Sequence, residues 1–188
     1  MRTPIWQPLD EQISRWMHSH ATPTLDQAMI TITSGGNLLA LLTATIAFTL
    51  ILWWRHQQRR RAAMVYALAA LTSYVLNGAL KHLFERPRPQ LWQQLISLPG
   101  DPSFPSGHAM ISMTVYGLAA WFLAEHFPAW RRVILLATGL LILLIGTSRV
   151  YLGVHWASDV LAGFLCGFVI LAASGRWHQR QRLHAQTN

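Results

Sequence analysis

The stretch HWASDVLAGFLCGFVILAAS, residues 155–174, decides the fold. From Trp156 to Ser174 it carries one charged side chain, Asp159, in an otherwise neutral and mostly apolar run. A helix that crosses a bilayer needs ~20 such residues, within a range of roughly 17–25. His155, Asp159, Gly163 and Gly167 recur every four residues, so on a helix they stack along one face. The glycines let a neighbouring helix approach closely. The ionisable pair then points into protein rather than lipid.

Four more apolar runs precede it, at 38–54, 62–80, 109–124 and 133–147. Hydrophobic residues make up 52% of the chain and charged residues 12%, which leaves too little polar sequence to clothe a soluble helical core. The expected fold is therefore all-α, an integral membrane helical bundle of five transmembrane helices. Residues 5–17 place Trp6, Leu9, Ile13, Trp16 and Met17 at helical spacing, interrupted by Asp10, Glu11 and Arg15. This pattern predicts an N-terminal amphipathic helix lying in the membrane interface. A second short helix is expected from Thr24 toward Ser34, ended by Gly35-Gly36. The chain divides into an interfacial segment (1–35), a transmembrane domain (36–176) and a basic cytoplasmic tail (177–188).

The net charge of +8 is distributed unevenly. Arg55, Arg59, Arg60 and Arg61, then Arg131 and Arg132, then Arg176, Arg180 and Arg182 all fall on one side of a five-helix topology. Arg2, Arg15, Lys81, Arg86, Arg88 and Arg149 fall on the other. The positive-inside rule makes the first side cytoplasmic and the second periplasmic or extracellular. It places the chain in the inner or plasma membrane. The basic tail reads as a topology anchor touching lipid headgroups, not as a nucleic-acid arm. Trp53, Trp54, Trp130 and Trp177 inside, with Trp92 and Trp156 outside, read as an aromatic belt. The 90–104 loop is expected on the outer leaflet surface. Cys166 is the single cysteine, so no internal disulfide forms. The N-terminus lacks a signal-peptide pattern, which leaves targeting to the first span.

Three short stretches carry the chemistry, and the topology brings them to one membrane face. Lys81, the only lysine, ends the second run and is followed by Arg88-Pro89. Phosphoryl transfer is mainly a matter of positioning and charge, and an arginine fork with a compact ammonium suits a phosphate. Arg86 reads as an interfacial snorkel. Pro105-Ser106-Gly107-His108 precedes the third run. Ser106 is a good N-cap, Gly107 permits close approach, and the helix N-terminus attracts an anion. His108 at that mouth suits proton donation to a leaving oxygen. Ser148-Arg149 precedes His155 and Asp159, and Arg149 completes a cationic clamp. Asp159 orients His155 as a nucleophile, by the logic of a catalytic triad. Taken alone, each of these readings has a structural counterpart: a capped helix start, a His–Asp staple, a snorkelling cation. Their joint occurrence favours a site that breaks a phosphate ester. No Cys/His cluster has metal-ligand spacing.

In order and spacing the three stretches resemble the signature of the type-2 phosphatidic acid phosphatase superfamily, matching at Lys81, Arg88, Pro89, Pro105, Ser106, Gly107, His108, Ser148, Arg149, His155 and Asp159. The resemblance runs from about residue 77 to 163. It implies that His155 is phosphorylated, that His108 protonates the leaving group and that Asp159 orients His155. It implies that Lys81, Arg88, Ser106, Gly107 and Arg149 hold the phosphate, and that no metal or cofactor takes part. The five spans depart from the six of many membrane members. The small size resembles the compact bacterial members that act on undecaprenyl pyrophosphate.

The expected activity is thus metal-independent hydrolysis of a lipid phosphate or pyrophosphate at the outward face, with undecaprenyl pyrophosphate as first substrate. Phosphatidylglycerophosphate and phosphatidic acid are alternatives, as is phosphate transfer to another lipid. A non-catalytic phospholipid-binding protein is disfavoured, because every role the chemistry needs is filled. The expected partners are the substrate and membrane lipids, not nucleic acid. Gly163 and Gly167 read as packing within the bundle, which leaves oligomeric state open.

Overall fold

The computed structural model describes residues 6–55, 57–93 and 95–187, without the side chains of 55, 57–59 and 184–187. Arg2, residues 1–5 of the N-terminal segment, Asn188 of the tail and the side chains of Arg55 and Arg59 lie outside the described residues. Among the described residues seven α-helices run in order: α1 (Gln7–Ser19), α2 (Pro23–Ser34), α3 (Leu38–Arg55), α4 (Gln57–Phe84), α5 (Gly107–His126), α6 (Arg131–Tyr151) and α7 (Ala157–Thr187). A short 3-10 turn, Pro128–Trp130, joins α5 to α6. No β-strand occurs among the described residues.

Four stretches are long and apolar enough to cross a bilayer: Arg60–Phe84, Gly107–His126, Pro128–Tyr151 and Ala157–Leu183. The expected fifth span is less simple. Helix α3 is apolar throughout but short, and it is bent by 43° against α2. The pair counts as a fifth span only if taken together. Local chemistry makes the break. Thr22 caps α2 by accepting from the Leu25 amide at 3.3 Å, and Asn37 Oδ1 accepts from the Ala40 amide at 2.9 Å at the start of α3. Between them the Gly35 carbonyl accepts a 2.6 Å bond from the Tyr116 hydroxyl. A Cβ on Gly36 would lie 2.5 Å from Ile145 and 2.7 Å from His108, so the chain passes there only as glycine.

Helix α5 is the centre of the bundle and packs against α3, α4, α6 and α7. Of its apolar window 56% is buried, against 28–39% for the other three spans. Those three turn Leu68, Leu71, Leu136, Leu140, Leu161, Leu165 and Val169 outward. Helices apolar on both faces, with the outer face exposed, are soluble only in lipid.

Helices α5 and α7 approach each other with backbone against backbone. A Cβ on Gly163 would sit 2.7 Å from the Ser106 carbonyl oxygen, and one on Gly167 would sit 2.4 Å from that of Met110. The small-residue spacing seen in the sequence is thus an internal packing face. It holds the start of α5 against the start of α7.

Helix α1 lies across the ends of α6 and α7. It leaves Trp6, Leu9 and Trp16 exposed and buries Asp10 and Ser14. Trp53, Trp54, Trp130 and Trp177 are exposed, as belt residues should be. Trp92 and Trp156 are not. Trp156 is 7% exposed and donates to the Pro87 carbonyl at 3.0 Å, and Trp92 stacks on His18 with ring centres 4.1 Å apart. An indole joins a large apolar face to one N–H donor, and this end of the bundle offers partners for both.

Gly167→Ala is expected to lower the melting midpoint in detergent, since the added methyl must push apart two backbones at a cost of about 1–3 kcal/mol. An unchanged midpoint would show that α5 and α7 are not in the contact described.

Candidate active site

A pocket of about 320 Å³ opens at the end of the bundle where α4 and α6 finish and α5 and α7 begin. Lys81, Arg88, Gly107, His108, Arg149 and His155 all line it. Ser106 and Asp159 lie directly behind this lining, each fully buried. All eight site residues expected from the sequence therefore meet in one place.

The α6–α7 turn sets His155. The Arg149 carbonyl accepts from the amides of both Val154 and His155, at 3.1 and 3.2 Å. Asp159, in the first turn of α7, reaches back to the Trp156 amide at 2.9 Å, as the acidic member of a capping box does. The same oxygen, Oδ2, faces His155 Nδ1 at 3.5 Å and accepts from Ser103 Oγ. On the other side of the ring, His155 Nε2 lies 3.1 Å from Arg88 Nη1. A guanidinium only donates, so Nε2 accepts and the ring proton resides on Nδ1. The lone pair on Nε2 thus faces Arg88 at the edge of the cationic pocket. Burial holds the imidazole below its ordinary value, to about 4; the Asp159 hydrogen bond works the other way and the charges of Arg88 and Arg149 add to the depression. The ring is neutral near pH 7.

The cations are held differently from one another. Lys81 pairs with Asp101 Oδ2 at 2.9 Å and donates to the Pro102 carbonyl. Arg88 pairs with Asp101 Oδ1 at 2.7 Å and also donates to the Asp101 and Val154 carbonyls. Arg149 is 3% exposed and reaches only a hydroxyl, Thr33 Oγ1, at 2.7 Å. No carboxylate among the described residues pairs with it, and its Nε is buried without a partner.

Ser106 occupies the N-cap position of α5, as expected, yet its hydroxyl makes no capping bond. Its Oγ is buried and unpartnered. Its amide is turned to the Asp159 carbonyl at 3.0 Å. The turn is braced from α4 by Asn77, whose Nδ2 donates to the Pro105 carbonyl at 3.3 Å. A Cβ on Gly107 would lie 3.0 Å from the Asn77 amide oxygen. The N-terminus of α5 thus lacks a side-chain cap, and at the same end stand a hydroxyl and a guanidinium N–H without partners, donors of the kind an anion accepts from. His108 projects into the same pocket and makes no hydrogen bond to another described residue.

Four residues of this end were not singled out as site residues in the sequence. Arg86 is no snorkel: it pairs with Asp159 Oδ1 at 2.5 Å and with Asp10 Oδ2 at 2.7 Å. Asp10 comes from α1, which carried no evident chemistry. Asp101 and Ser103 belong to the 90–104 loop, which roofs the site as well as meeting the surface. There Ile96 and Leu98 pack on Tyr151, Leu152 and Val154. One signal was available. The chain has only seven acidic residues, and an acid buried in a membrane protein must find a cation. Among the described residues, no group of three or more His, Cys, Asp or Glu side chains is gathered as a metal ion would need.

Helices apolar enough to span a bilayer, closed around a cationic pocket with an oriented histidine, define a membrane-embedded phosphatase. The chain belongs to the PAP2 superfamily, which it matches over residues 62–183. It is 33% identical over 167 residues to phosphatidylglycerophosphatase B of Bacillus subtilis (strain 168), spanning 87% of this chain and 80% of that one. It is 32% identical over 133 residues to the putative undecaprenyl-diphosphatase YbjG of Escherichia coli (strain K12), spanning 69% and 64%. The crystal structure of a transmembrane PAP2-type phosphatidylglycerolphosphate phosphatase from Bacillus subtilis superposes with a TM-score of 0.87 at 31% identity, over 95% of this chain and 89% of that one. The chain is an integral membrane lipid phosphatase.

Between pH 6.5 and 4 the folded ring of His155 stays neutral while the unfolded ring protonates. The unfolded state then binds more protons, so stability falls as pH drops through this window. The melting midpoint of wild type is expected to fall more steeply there than that of His155→Gln; parallel slopes would mean that the ring titrates normally. Burial by itself would push the Asp101 carboxyl up, but Lys81 and Arg88 outweigh it and hold the group below the usual range. This carboxylate occupies Lys81 and Arg88, the cations expected from the sequence to hold phosphate. Inorganic phosphate is therefore expected to inhibit Asp101→Asn at several-fold lower concentration than wild type.

Proposed function

We propose that this chain removes the terminal phosphate of a membrane lipid through a phosphohistidine on His155, without a metal. One observation carries the reading: the pocket is lined by a buried guanidinium, Arg149, with no counter-charge among the described residues and by a neutral histidine whose Nε2 meets Arg88, and the orphan Ser106 hydroxyl lies behind the Gly107 lining. Lys81, Arg88, Ser106, the Gly107 amide and Arg149 bind the phosphoryl oxygens. His155 Nε2 attacks phosphorus, and the bond from phosphorus to the lipid oxygen breaks. The leaving oxygen takes the electron pair and a proton from His108. Asp159 supports the positive charge that develops on the ring. Water then attacks the phosphohistidine, His108 takes its proton, and inorganic phosphate leaves.

Undecaprenyl pyrophosphate and phosphatidylglycerophosphate both fit this chemistry, each supported by the name of one relative. Compact size does not separate them, because the phosphatidylglycerolphosphate phosphatase is nearly as short: this chain spans 89% of it. The pocket end lies opposite the end that carries Arg60, Arg61, Arg131, Arg132 and Arg176, which supports an outward-facing site by the positive-inside rule. The segments 1–35, 36–176 and 177–188 then act as interfacial helix, phosphatase domain and cytoplasmic tail.

Phosphate release by purified protein in detergent with EDTA, on undecaprenyl pyrophosphate, phosphatidylglycerophosphate and phosphatidic acid, tests the reading. Wild type is expected to be active and to form an acid-labile, alkali-stable phosphoenzyme. His155→Ala is expected to do neither while remaining folded. Turnover by His155→Ala, or complete loss in EDTA restored by a divalent ion, would overturn it.

A further inference from the structure

Behind the His155–Asp159 pair lies a second layer of charge that none of the three motifs contains. Asp159 Oδ2 is the oxygen that meets His155, Ser103 and the Trp156 amide. Its other oxygen, Oδ1, is held by Arg86 Nη1 at 2.5 Å. Arg86 Nη2 continues to Asp10 Oδ2 at 2.7 Å. Asp10 in turn accepts from the Ser158 amide at 2.9 Å and the Ser158 hydroxyl at 2.6 Å. Asp10 is 2% exposed, and the Arg86 side chain 13%. The chain of contacts therefore runs from a helix lying across the bundle, through an arginine of the α4–α5 connection, to the carboxylate beside the nucleophile.

Buried ion pairs are a poor source of stability, because desolvation offsets most of the attraction. What this one achieves is geometric and electrostatic. With Oδ1 tied to a guanidinium that is itself anchored on its far side, the Asp159 carboxylate cannot rotate, and Oδ2 stays directed at His155 Nδ1. Arg86 alone would also cancel the charge of Asp159 and weaken its effect on the ring. Asp10 restores it: the three groups carry −1, +1 and −1, a net −1 next to the imidazole. Asp10 further receives the Ser158 amide at the start of α7, so it seats the helix that carries Asp159.

We propose that Arg86 and Asp10 are positioning residues for the reaction, holding the Asp159 carboxylate and through it the orientation and tautomer of His155, so that helix α1 is a working part of the active site. The inference rests on reading His155 as the nucleophile.

The test compares full-length wild type, Asp10→Asn, Asp10→Glu, Arg86→Lys, Arg86→Met, the Asp10→Asn/Arg86→Met double variant and His155→Ala. Steady-state kinetics, single-turnover phosphoenzyme formation and the melting midpoint are measured for each. Asp10→Asn keeps the shape and can still accept from the Ser158 amide, while it loses the charge and the acceptor that faces Arg86, so it carries the test even if Arg86→Met fails to fold. Its kcat and its rate of phosphoenzyme formation are expected to fall about 10–100-fold, the scale for partners that orient a functional histidine, with KM nearly unchanged. Asp10→Glu and Arg86→Lys are expected to recover part of the loss. The double variant is expected to be no slower than Arg86→Met, because the groups act as a unit. Wild-type kcat in folded Asp10→Asn, or a loss that only tracks the unfolded fraction, would overturn the proposal and leave a structural staple. Activity in His155→Ala would instead remove the reading on which it rests.

Discussion

A charge at the end of an apolar bundle must find its counter-charge within the protein, and most of this active site follows from that constraint. Lys81 and Arg88 share Asp101, and Arg86 lies between Asp10 and Asp159. Each pairing draws a different segment inward: the 90–104 loop, helix α1 and the start of α7. Among the described residues, Arg149 is the buried cation that meets a hydroxyl and no carboxylate. It lines a pocket where the next helix begins without a side-chain cap. An unmet cation, an orphan hydroxyl and free amide groups at one spot are costly to build. They are useful only when an anion arrives.

The helices make this arrangement possible by approaching without side chains between them. At Gly163 and Gly167 the backbone of α7 lies directly on that of α5. The contact sets the Ser106–His108 turn against the His155–Asp159 turn, and the Ser106 amide is spent on the Asp159 carbonyl. Gly36 does the same on the opposite side, where the bend between α2 and α3 passes over His108. Close packing thus sets the geometry of the pocket: His108 at the start of α5 and His155 in the α6–α7 turn line it together.

The His155–Asp159 pair, the glycine face, the Thr24–Ser34 helix and the break at Gly35-Gly36 were all legible as local patterns, each repeating with helical period or terminating it. The motif cations were legible because lysine and arginine at helix ends carry recognisable phosphate chemistry. Arg86 was misread, since its partners are 73 and 76 residues away, and a lone arginine at a helix end looks the same whether it faces headgroups or a buried acid. Trp156 was misread for the same reason. An indole at a span end suits a membrane interface equally well as a carbonyl inside the protein. Ser106 was placed correctly as an N-cap, but its hydroxyl is not spent on the cap.

The sequence by itself determined the lipid-soluble helices, the end of the bundle where the chemistry gathers, and the residues able to perform it. Those follow from the length of apolar runs, their charge asymmetry and spacing along one helix, all of which are one-dimensional quantities. Only the tertiary structure decided which carboxylate serves which cation, which described cation is left without one, and that helix α1 reaches Asp159 through Arg86. Those depend on distances between segments far apart in the chain, set by how closely α5 and α7 can pack and by the need to pair every buried charge but one.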